Sequence, residues 1–459
     1  MKKVLIALAI ILAIFLAIPL VGNKVIDETL NDRIELLSSY GLEVKKSHTD
    51  TGYLSTKKHY IFVVNDSKKF IGYLNQFSDT QLPPYVDALI DGAQVGLDVK
   101  YSNIPIQDKV SIDIYPNELS KKIAKDLMVD DVEFYRYIDA LLKNKAIVYH
   151  INYDVFNNDF DGYIKNIDES HTLQDASILS LKLQEAKFQG YGMLIAPESL
   201  STNIQEFALS IQADNENVHI QVNDFVSSSV FESKTTYAST GKFGKIIWSI
   251  KDTQKTDIAL NMDNVAFDFS SNTQSVKADF FAKLSFDSMD VKTSLTKIKT
   301  KKFNYDIALR GVSKDSYEKL VQVIAEAKLN TTLKLEAQLE EVGYELIGRG
   351  MVLEVADLSI KEITTAKTKN LGGMSLKSKI VIKQDNDLAK KVKTNPIALI
   401  KLMDIDLLFT MSKNMYEKIA LASPVLMMAQ NFAKEEKELI IFDIKLKDTK
   451  LSVNGKEIK

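Results

Sequence analysis

Long stretches of the chain alternate apolar and polar residues, which is typical of half-buried β-strands. One spacing recurs within these stretches: apolar-x-apolar-x-x-apolar-x-apolar. It occurs at residues 99–106, 181–188, 260–267, 284–291 and 353–360, with weaker copies at 220–227 and 444–451. The distances between copies are irregular, so no repeat of fixed period is predicted.

Two structures would explain the extra residue in this spacing. A two-residue hairpin would place the flanking residues on one face, and the inserted pairs 223–224, 263–264 and 287–288 resemble turns. None of these pairs contains glycine, which tight hairpins prefer. A bulge inside one long strand would also restore the face. Bulged strands are therefore the favoured prediction, with residues 276–295 forming one strand, and hairpins are the alternative.

The alternation also identifies which side chains would share one apolar sheet face. Successive side chains of a strand point to opposite faces, so every second residue belongs to the same set. The residues predicted to line this face are Val276, Phe280, Leu284, Phe286, Leu260 and Phe267.

Helical spacing interrupts the strands at a few places. Residues 24–40 are predicted to form a juxtamembrane helix, and residues 118–143 two short helices with Asp130-Asp131 between them. Further helices are predicted near 313–329, 396–403 and 415–433. The predicted fold is α+β: a long, curved, mostly antiparallel sheet with bulged strands and helices packed on one face. Residues 41–175 would form an N-terminal α+β part and residues 176–459 a β-rich part.

The chain begins with a candidate transmembrane helix. Residues 4–21 contain no polar side chain, and the stretch includes Val4, Leu12, Phe15 and Val21. Its 18 residues are at the lower limit for crossing a hydrocarbon core of about 30 Å. Lys2 and Lys3 precede it, so the N-terminus is predicted to stay in the cytoplasm. Residues 1–23 are thus predicted to be a signal anchor of a single-pass inner-membrane protein, and a cleaved signal peptide is the alternative.

Composition and charge exclude several kinds of chemistry. There are 58 Lys+Arg against 61 Asp+Glu, and only four of the basic residues are arginine, which argues against a nucleic-acid partner. Cysteine is absent, so disulfides, thiolate catalysis and Cys-based metal sites are excluded. No two of the five histidines are three or four residues apart, and no phosphate loop or nucleophile elbow occurs. No catalytic, cofactor-binding or metal residue is predicted, and the protein is not expected to be an enzyme.

Two segments resemble a known family. Gly52-Tyr53-Leu54-Ser55 leads into the strand Tyr60-Ile61-Phe62-Val63, and near the other end residues 427–432 precede strands at 440–446 and 451–456. In these features the chain resembles the YdgA/YihF-like family of bacterial inner-membrane-anchored periplasmic proteins of unknown function. It departs from that family at Thr51, where an arginine is usual, and in stopping soon after the last hairpin. The resemblance implies a periplasmic body and supplies no catalytic residues.

Three functional hypotheses follow from these observations. In the favoured one the periplasmic body binds an apolar or amphipathic partner, either lipid or another envelope protein. In the second, the protein has a structural or assembly role, as a homodimer for example, with a fully packed core. The third is a periplasmic hydrolase. An apolar face left uncovered by the predicted helices would favour lipid.

Overall fold

The computed structural model describes residues 28, 30–75, 82, 85–104, 109–194, 196–214, 216–233, 235–252, 257–327, 333–368, 370–420 and 429–458. The chain divides into two compact units, Met1–Ser228 and Ser229–Lys459. Antiparallel strands dominate both units, as the alternation predicts, and helices pack on them. The coarse prediction of an α+β protein built on a large antiparallel sheet is therefore confirmed.

The first unit is built on strands that pair in the order β1–β2–β3–β4–β5–β6–β9–β10–β8–β7. One half of β10 pairs with β9 and the other half with β8, so β8 and β9 lie end to end along it. The strands are β1 Leu42–Thr51, β2 Ser55–Val64, β3 Gln94–Ser102, β4 Lys109–Glu118, β5 Tyr149–Asp154, β6 Asp159–Ile164, β7 Ile167–Thr172, β8 Ile178–Gln184, β9 Ala186–Met193, β10 Ala196–Gln212 and β11 Glu216–Phe231, whose end lies in the second unit.

Five helices of this unit lie within the described ranges: α1 at 30–39, α2 Ser67–Asn75, α3 Tyr85–Ile90, α4 Lys121–Asp130 and α5 Val132–Lys143. Side chains of α1 and α2, including Ile34 and Phe70, pack against the buried residues Tyr60 and Phe62 of β2. Asp131 separates α4 from α5, and its carboxylate accepts the Phe134 N–H at 2.9 Å. This N-cap explains why the predicted pair of short helices breaks there.

The strands of the second unit pair in the order β12–β13–β14–β15–β16–β17–β18–β20–β21–β22, with the short β19 also on β20. They are β12 Tyr237–Asp252, β13 Asp257–Asn272, β14 Lys277–Lys292, β15 Lys297–Ser313, β16 Met351–Thr365, β17 Gly372–Ile382, β18 Met403–Ser412, β19 Lys434–Glu436, β20 Leu439–Lys447, β21 Lys450–Val453 and β22 Lys456–Ile458.

In the described part of the second unit the helices are α6 Lys314–Ala327, α7 Leu333–Gly348, α8 Leu388–Thr394 and α9 Lys413–Ala420, with 3-10 turns at Pro396–Ala398, Ile400–Leu402 and Gln430–Phe432. One buried cluster joins α7 to the start of β14 through Leu346 and Ala278, and a second joins α9 to β18 and β20 through Met415, Met411 and Phe442.

The recurring spacing at 260–267, 284–291 and 353–360 lies inside the continuous strands β13, β14 and β16. The hairpin alternative is therefore wrong at these copies. The bulge prediction is confirmed in β16, where the pairing with β17 shifts register between Val355 and Leu358. At residues 263–264 the bulge prediction is wrong. Lys245 faces Asp263 and Phe243 faces Val265, so the pairing of β12 with β13 keeps one offset on both sides of Asn264. Asn264 has a φ of 51°, which is the left-handed conformation. Such a residue reverses which side chains point to which face of the sheet. The register does not shift, because the paired residues of the neighbouring strand reverse at the same position.

Two further copies end at strand boundaries. At 181–188 the interruption is Glu185, with a φ of 50°, between β8 and β9. At 99–106 the strand β3 ends at Ser102, and residues 105–106 lie outside the described ranges.

The predicted signal anchor at 1–23, with Val4, Leu12, Phe15 and Val21, also lies outside the described residues. Within the described ranges, every helix is too short or too polar to cross a bilayer. The anchor and the membrane location therefore stay predictions.

Candidate functional site

The sheet of the second unit carries rows of apolar side chains that face one another across successive strands. Directly paired residues of antiparallel strands have Cβ atoms about 4.5–5.5 Å apart and point to the same face. The fullest row crosses β13 to β18 and then β20, and its members are Phe267, Leu284, Tyr305, Leu358, Leu376, Phe409 and Phe442.

A parallel row lies two residues away along β14. It consists of Phe286, Phe303, Ile360, Met374, Met411 and Ile440. The rings of Phe286 and Phe303 stack with centroids 4.9 Å apart. A third row joins Leu260 to Val291 and Ile298, beyond the phase change at Asn264. We call the surface formed by these three rows the apolar face.

The residues between these positions form a charged opposite face. Lys283 pairs with Asp306 at 3.2 Å, and Lys301 pairs with Glu362 at the same distance. Lys299 pairs with Asp290 at 2.9 Å. Cross-strand pairs of opposite charge are favourable in a sheet that faces water. The sheet is thus amphipathic across β14, β15 and β16, as the alternation predicts.

A polar row marks the level at which the alternation changes phase. The Asn264 amide donates to Asp287 at 2.8 Å, and the Lys302 ammonium binds the other carboxylate oxygen at 2.6 Å. Hydrogen bonds from Lys302 and Asn264 hold the pKa of Asp287 below its usual range, so it is ionised at neutral pH. Asn264 and Lys302 both have positive φ, which lets the apolar face continue past this row.

Helices cover only parts of the apolar face among the described residues. At one end, the Tyr317 ring of α6 lies 4.8 Å from the Phe280 ring. At one side, Met415 and Tyr416 of α9 pack on Met411 and Phe442. The buried clusters that contain helix side chains in the second unit lie at these two places. Leu284, between them, is half-buried.

The predicted apolar-face residues fall into three situations. Leu260, Phe267 and Leu284 are half-buried members of the rows, and Phe286 is buried. Phe280 lies beneath α6. Val276 is different, because it lies in the turn before β14 with 80% of its surface exposed. The predicted strand over 276–295 therefore begins one residue later, at Lys277, and ends at Lys292.

Sequence reasoning did not name the continuation of the rows over β15 to β20. Tyr305, Phe409 and Phe442 belong to them, yet only the pairing register aligns these residues with Leu284. The copy of the spacing at 353–360 was the available signal, because it places Leu358 and Ile360 on the same face.

Metal ligands do not cluster anywhere in the described ranges, where no group of three His, Cys, Asp or Glu could hold an ion. Comparison with known proteins adds no relative: no family model, no curated protein and no solved structure matches the chain. The resemblance to the YdgA/YihF-like family accordingly stays a prediction.

Proposed function

We propose that this chain is a non-enzymatic bacterial envelope protein whose periplasmic body binds lipid acyl chains along the apolar face. Residues 4–21 would hold it in the inner membrane by a single span, with the N-terminus in the cytoplasm. The proposal includes the prediction that the sheet is long and curved, so that it would wrap around the acyl chains. The observation that carries it is the row from Phe267 to Phe442, which is uniformly apolar across seven strands.

The chemistry of this row suits an acyl chain. Seven strands about 4.8 Å apart span roughly 29 Å. One leaflet contributes about half of a hydrocarbon core of about 30 Å, so the row is long enough for an extended acyl chain. Each methylene removed from water contributes about 0.8 kcal/mol. A protein partner would instead be expected to need polar groups among the apolar ones, as at most interfaces.

Lipid carried by the intact protein tests this proposal. The full chain would be extracted in mild detergent and analysed by native mass spectrometry, as wild type, Leu284→Glu and Ser285→Glu. Leu284 lies in the fullest row, whereas Ser285 is its neighbour in β14 and points to the opposite face, where it is paired with Asn304 and Ala266. All three proteins keep the same anchor, so lipid held by the anchor cancels in the comparison.

The expected result is bound phospholipid in wild type and Ser285→Glu, and its loss from a folded Leu284→Glu protein. Equal lipid in all three proteins would refute the proposal. Retention of an envelope protein instead of lipid would favour the protein-binding alternative, and loss of folded Leu284→Glu protein would favour a packed core with an assembly role.

Topology provides a separate test of the predicted anchor. A reporter that is active only in the periplasm, fused after Lys459, is expected to be active, and the mature chain should still begin near Met1. A mature N-terminus near residue 23 would show instead that the segment is a cleaved signal peptide.

A further inference from the structure

The first unit contains a row of titratable side chains that the apolar face does not use. It crosses β1 to β6, each member directly facing the next: His48, His59, Asp98, Asp113, His150 and Tyr163. His59 binds Asp98 through Nδ1 at 2.6 Å, and His150 binds Asp113 in the same way at 2.6 Å. Two histidine–aspartate pairs therefore lie side by side on one sheet face.

Asp98 is the centre of a larger cluster. Its Oδ1 accepts His59 Nδ1 and also the Tyr115 hydroxyl at 3.2 Å, while its Oδ2 accepts the Lys145 ammonium at 2.5 Å. The same ammonium lies 4.0 Å from the centroid of the Tyr115 ring. Burial by itself would raise the pKa of Asp98, but the hydrogen bonds from Lys145 and His59 hold it below its usual range. Asp98 is thus ionised and its charge is matched by Lys145.

Two backbone features hold this cluster in place. A Cβ atom on Gly96 would come within 2.1 Å of the Tyr115 ring, so the ring lies where only glycine leaves room for it. Lys145 follows the end of α5 with a φ of 49°, a conformation that non-glycine residues seldom adopt. Such strain persists only where the surrounding contacts enforce it, and it is common at functional sites.

Three members of the cluster, His59, Tyr115 and Lys145, line a pocket of about 240 Å³. The other charged groups that line it are Lys45, Lys46, Lys143 and Glu118. Glu118 is the only carboxylate of that set, and it accepts a hydrogen bond from Gln94 and lies 3.9 Å from Lys45. Since His59 Nδ1 is engaged by Asp98, its Nε2 is the ring nitrogen available to a ligand. The lining ammonium groups are partly neutralised, since Lys143 binds Asp139 at 2.6 Å and Lys145 binds Asp98. The four lining lysines still outnumber the carboxylates Glu118, Asp98 and Asp139, and a concave site with an excess of positive charge concentrates anions.

We propose that this pocket binds a small oxyanion of the phosphate type. Lys46 and Lys143 would contribute ammonium hydrogen bonds. A neutral His59 ring that donates Nδ1–H to Asp98 has an accepting Nε2, which would accept the hydroxyl hydrogen of a hydrogen phosphate. Asp98 acts only as a positioning residue that orients His59 and Lys145. Charge-assisted hydrogen bonds of this kind are the strong ones in phosphate recognition. The phosphate can be free or part of a lipid headgroup, since both present the same oxygens.

Ring NMR of the five histidines in the full chain, titrated with inorganic phosphate, tests this proposal. Assignment would come from His→Gln variants. His59 is expected to shift saturably, whereas His150 is the internal control, because it has the same bond to an aspartate but does not line the pocket. Lys46→Gln and Lys143→Gln should each weaken phosphate affinity about tenfold. Lys125→Gln, at an exposed lysine of α4 outside the pocket, should leave it unchanged.

A second titration, with glycerol 3-phosphate, distinguishes free phosphate from a lipid headgroup as the ligand. If a headgroup is the ligand, glycerol 3-phosphate will bind more tightly than inorganic phosphate; if free phosphate is the ligand, the order will be reversed. The proposal is overturned if His59 does not shift, if His59 and His150 shift equally, or if both pocket variants bind phosphate like wild type while remaining folded by circular dichroism.

Discussion

The side-chain amide of Asn264 donates a hydrogen bond to the carboxylate of Asp287 across β13 and β14, at 2.8 Å. Lys302 of β15 binds the same carboxylate at 2.6 Å, so one side chain on the middle strand contacts the left-handed residues of the strands on either side. This contact links the three strands at the position where the alternation of apolar and polar side chains reverses in each of them. The apolar face depends on that reversal, because without it the apolar residues on its two sides would point to opposite faces.

Replacing Asn264 tests how much its hydrogen bond and its left-handed backbone conformation stabilise the sheet. Asn264→Ala removes the hydrogen bond and places an ordinary Cβ in the left-handed region, which together are expected to cost about 1–2 kcal/mol of unfolding free energy. Asn264→Gly is the matched control, since it removes the same bond but tolerates positive φ. Urea unfolding should rank wild type above the glycine variant and the glycine variant above alanine. Equal stability of the alanine and glycine variants would contradict a role for the backbone conformation.

Inserting residues distinguishes a continuous strand from a turn. Two glycines placed after Asp263 should disrupt β13, because that segment pairs with β12 on one side and β14 on the other. The same insertion after Leu295, in the turn between β14 and β15, should be nearly harmless. Soluble yield and thermal unfolding of the two variants make the comparison. A well-folded variant with the insertion after Asp263 would be incompatible with the strand pairing described above.

Because α6 covers only one end of the apolar face, a charge is expected to destabilise the protein more at position 280 than at position 284. Phe280→Glu would place a carboxylate beneath Tyr317 of α6, at an expected cost of several kcal/mol. Leu284→Glu lies beyond that helix cluster, where water can hydrate the charge, and should cost less than about 1.5 kcal/mol. Denaturant midpoints of the two variants, measured beside Ser285→Glu, give the comparison. Equal destabilisation at positions 280 and 284 would mean that the apolar face is closed.

The Tyr137 phenol is expected to lose its proton at a higher pH than an ordinary tyrosine. Burial and a hydrogen bond to Glu169, at 2.7 Å, raise its pKa to about 12. A raised pKa means that the folded state holds the phenol proton more tightly than the unfolded chain. The stabilisation is therefore fully present below about pH 10 and is lost as the pH rises towards 12.

Ultraviolet titration of Tyr137→Phe and wild type measures this directly. Near about pH 11 the two folded proteins should have the same phenolate absorbance, because Tyr137 is still protonated in wild type. In guanidinium the variant should have one phenolate fewer at the same pH. A deficit of one phenolate in the folded variant would contradict the raised pKa.

Local patterns were enough to predict several parts of this fold. The short helices α4 and α5, the break at Asp131 and the one-sided apolar set on β13 and β14 follow from hydrophobic period and capping chemistry. These signals depend on residues a few positions apart, so they are readable along the chain. The spacing at 260–267 likewise showed that the alternation changes phase, although it did not show how.

Relations between distant segments decided the rest. A phase change such as that at Asn264 can come from a hairpin, a bulge or a left-handed residue, and only the matched change in the neighbouring strands distinguishes them. The pair Lys145 and Asp98 is separated by 47 residues, and its contact depends on where α5 ends relative to β3. No spacing in the sequence connects His59 with either of these residues.

By itself, then, the sequence determined that strands dominate the chain, which side of β13 and β14 is apolar and where α4 and α5 are separated. The tertiary structure alone decided which apolar side chains line up across the sheet and where α6 and α9 cover them. It also decided that Asp98 binds three residues that line one pocket, His59, Tyr115 and Lys145. The physical reason is that periodicity is a local property of the chain, whereas register, cover and hydrogen-bonded clusters are set by pairings between strands and helices far apart in sequence.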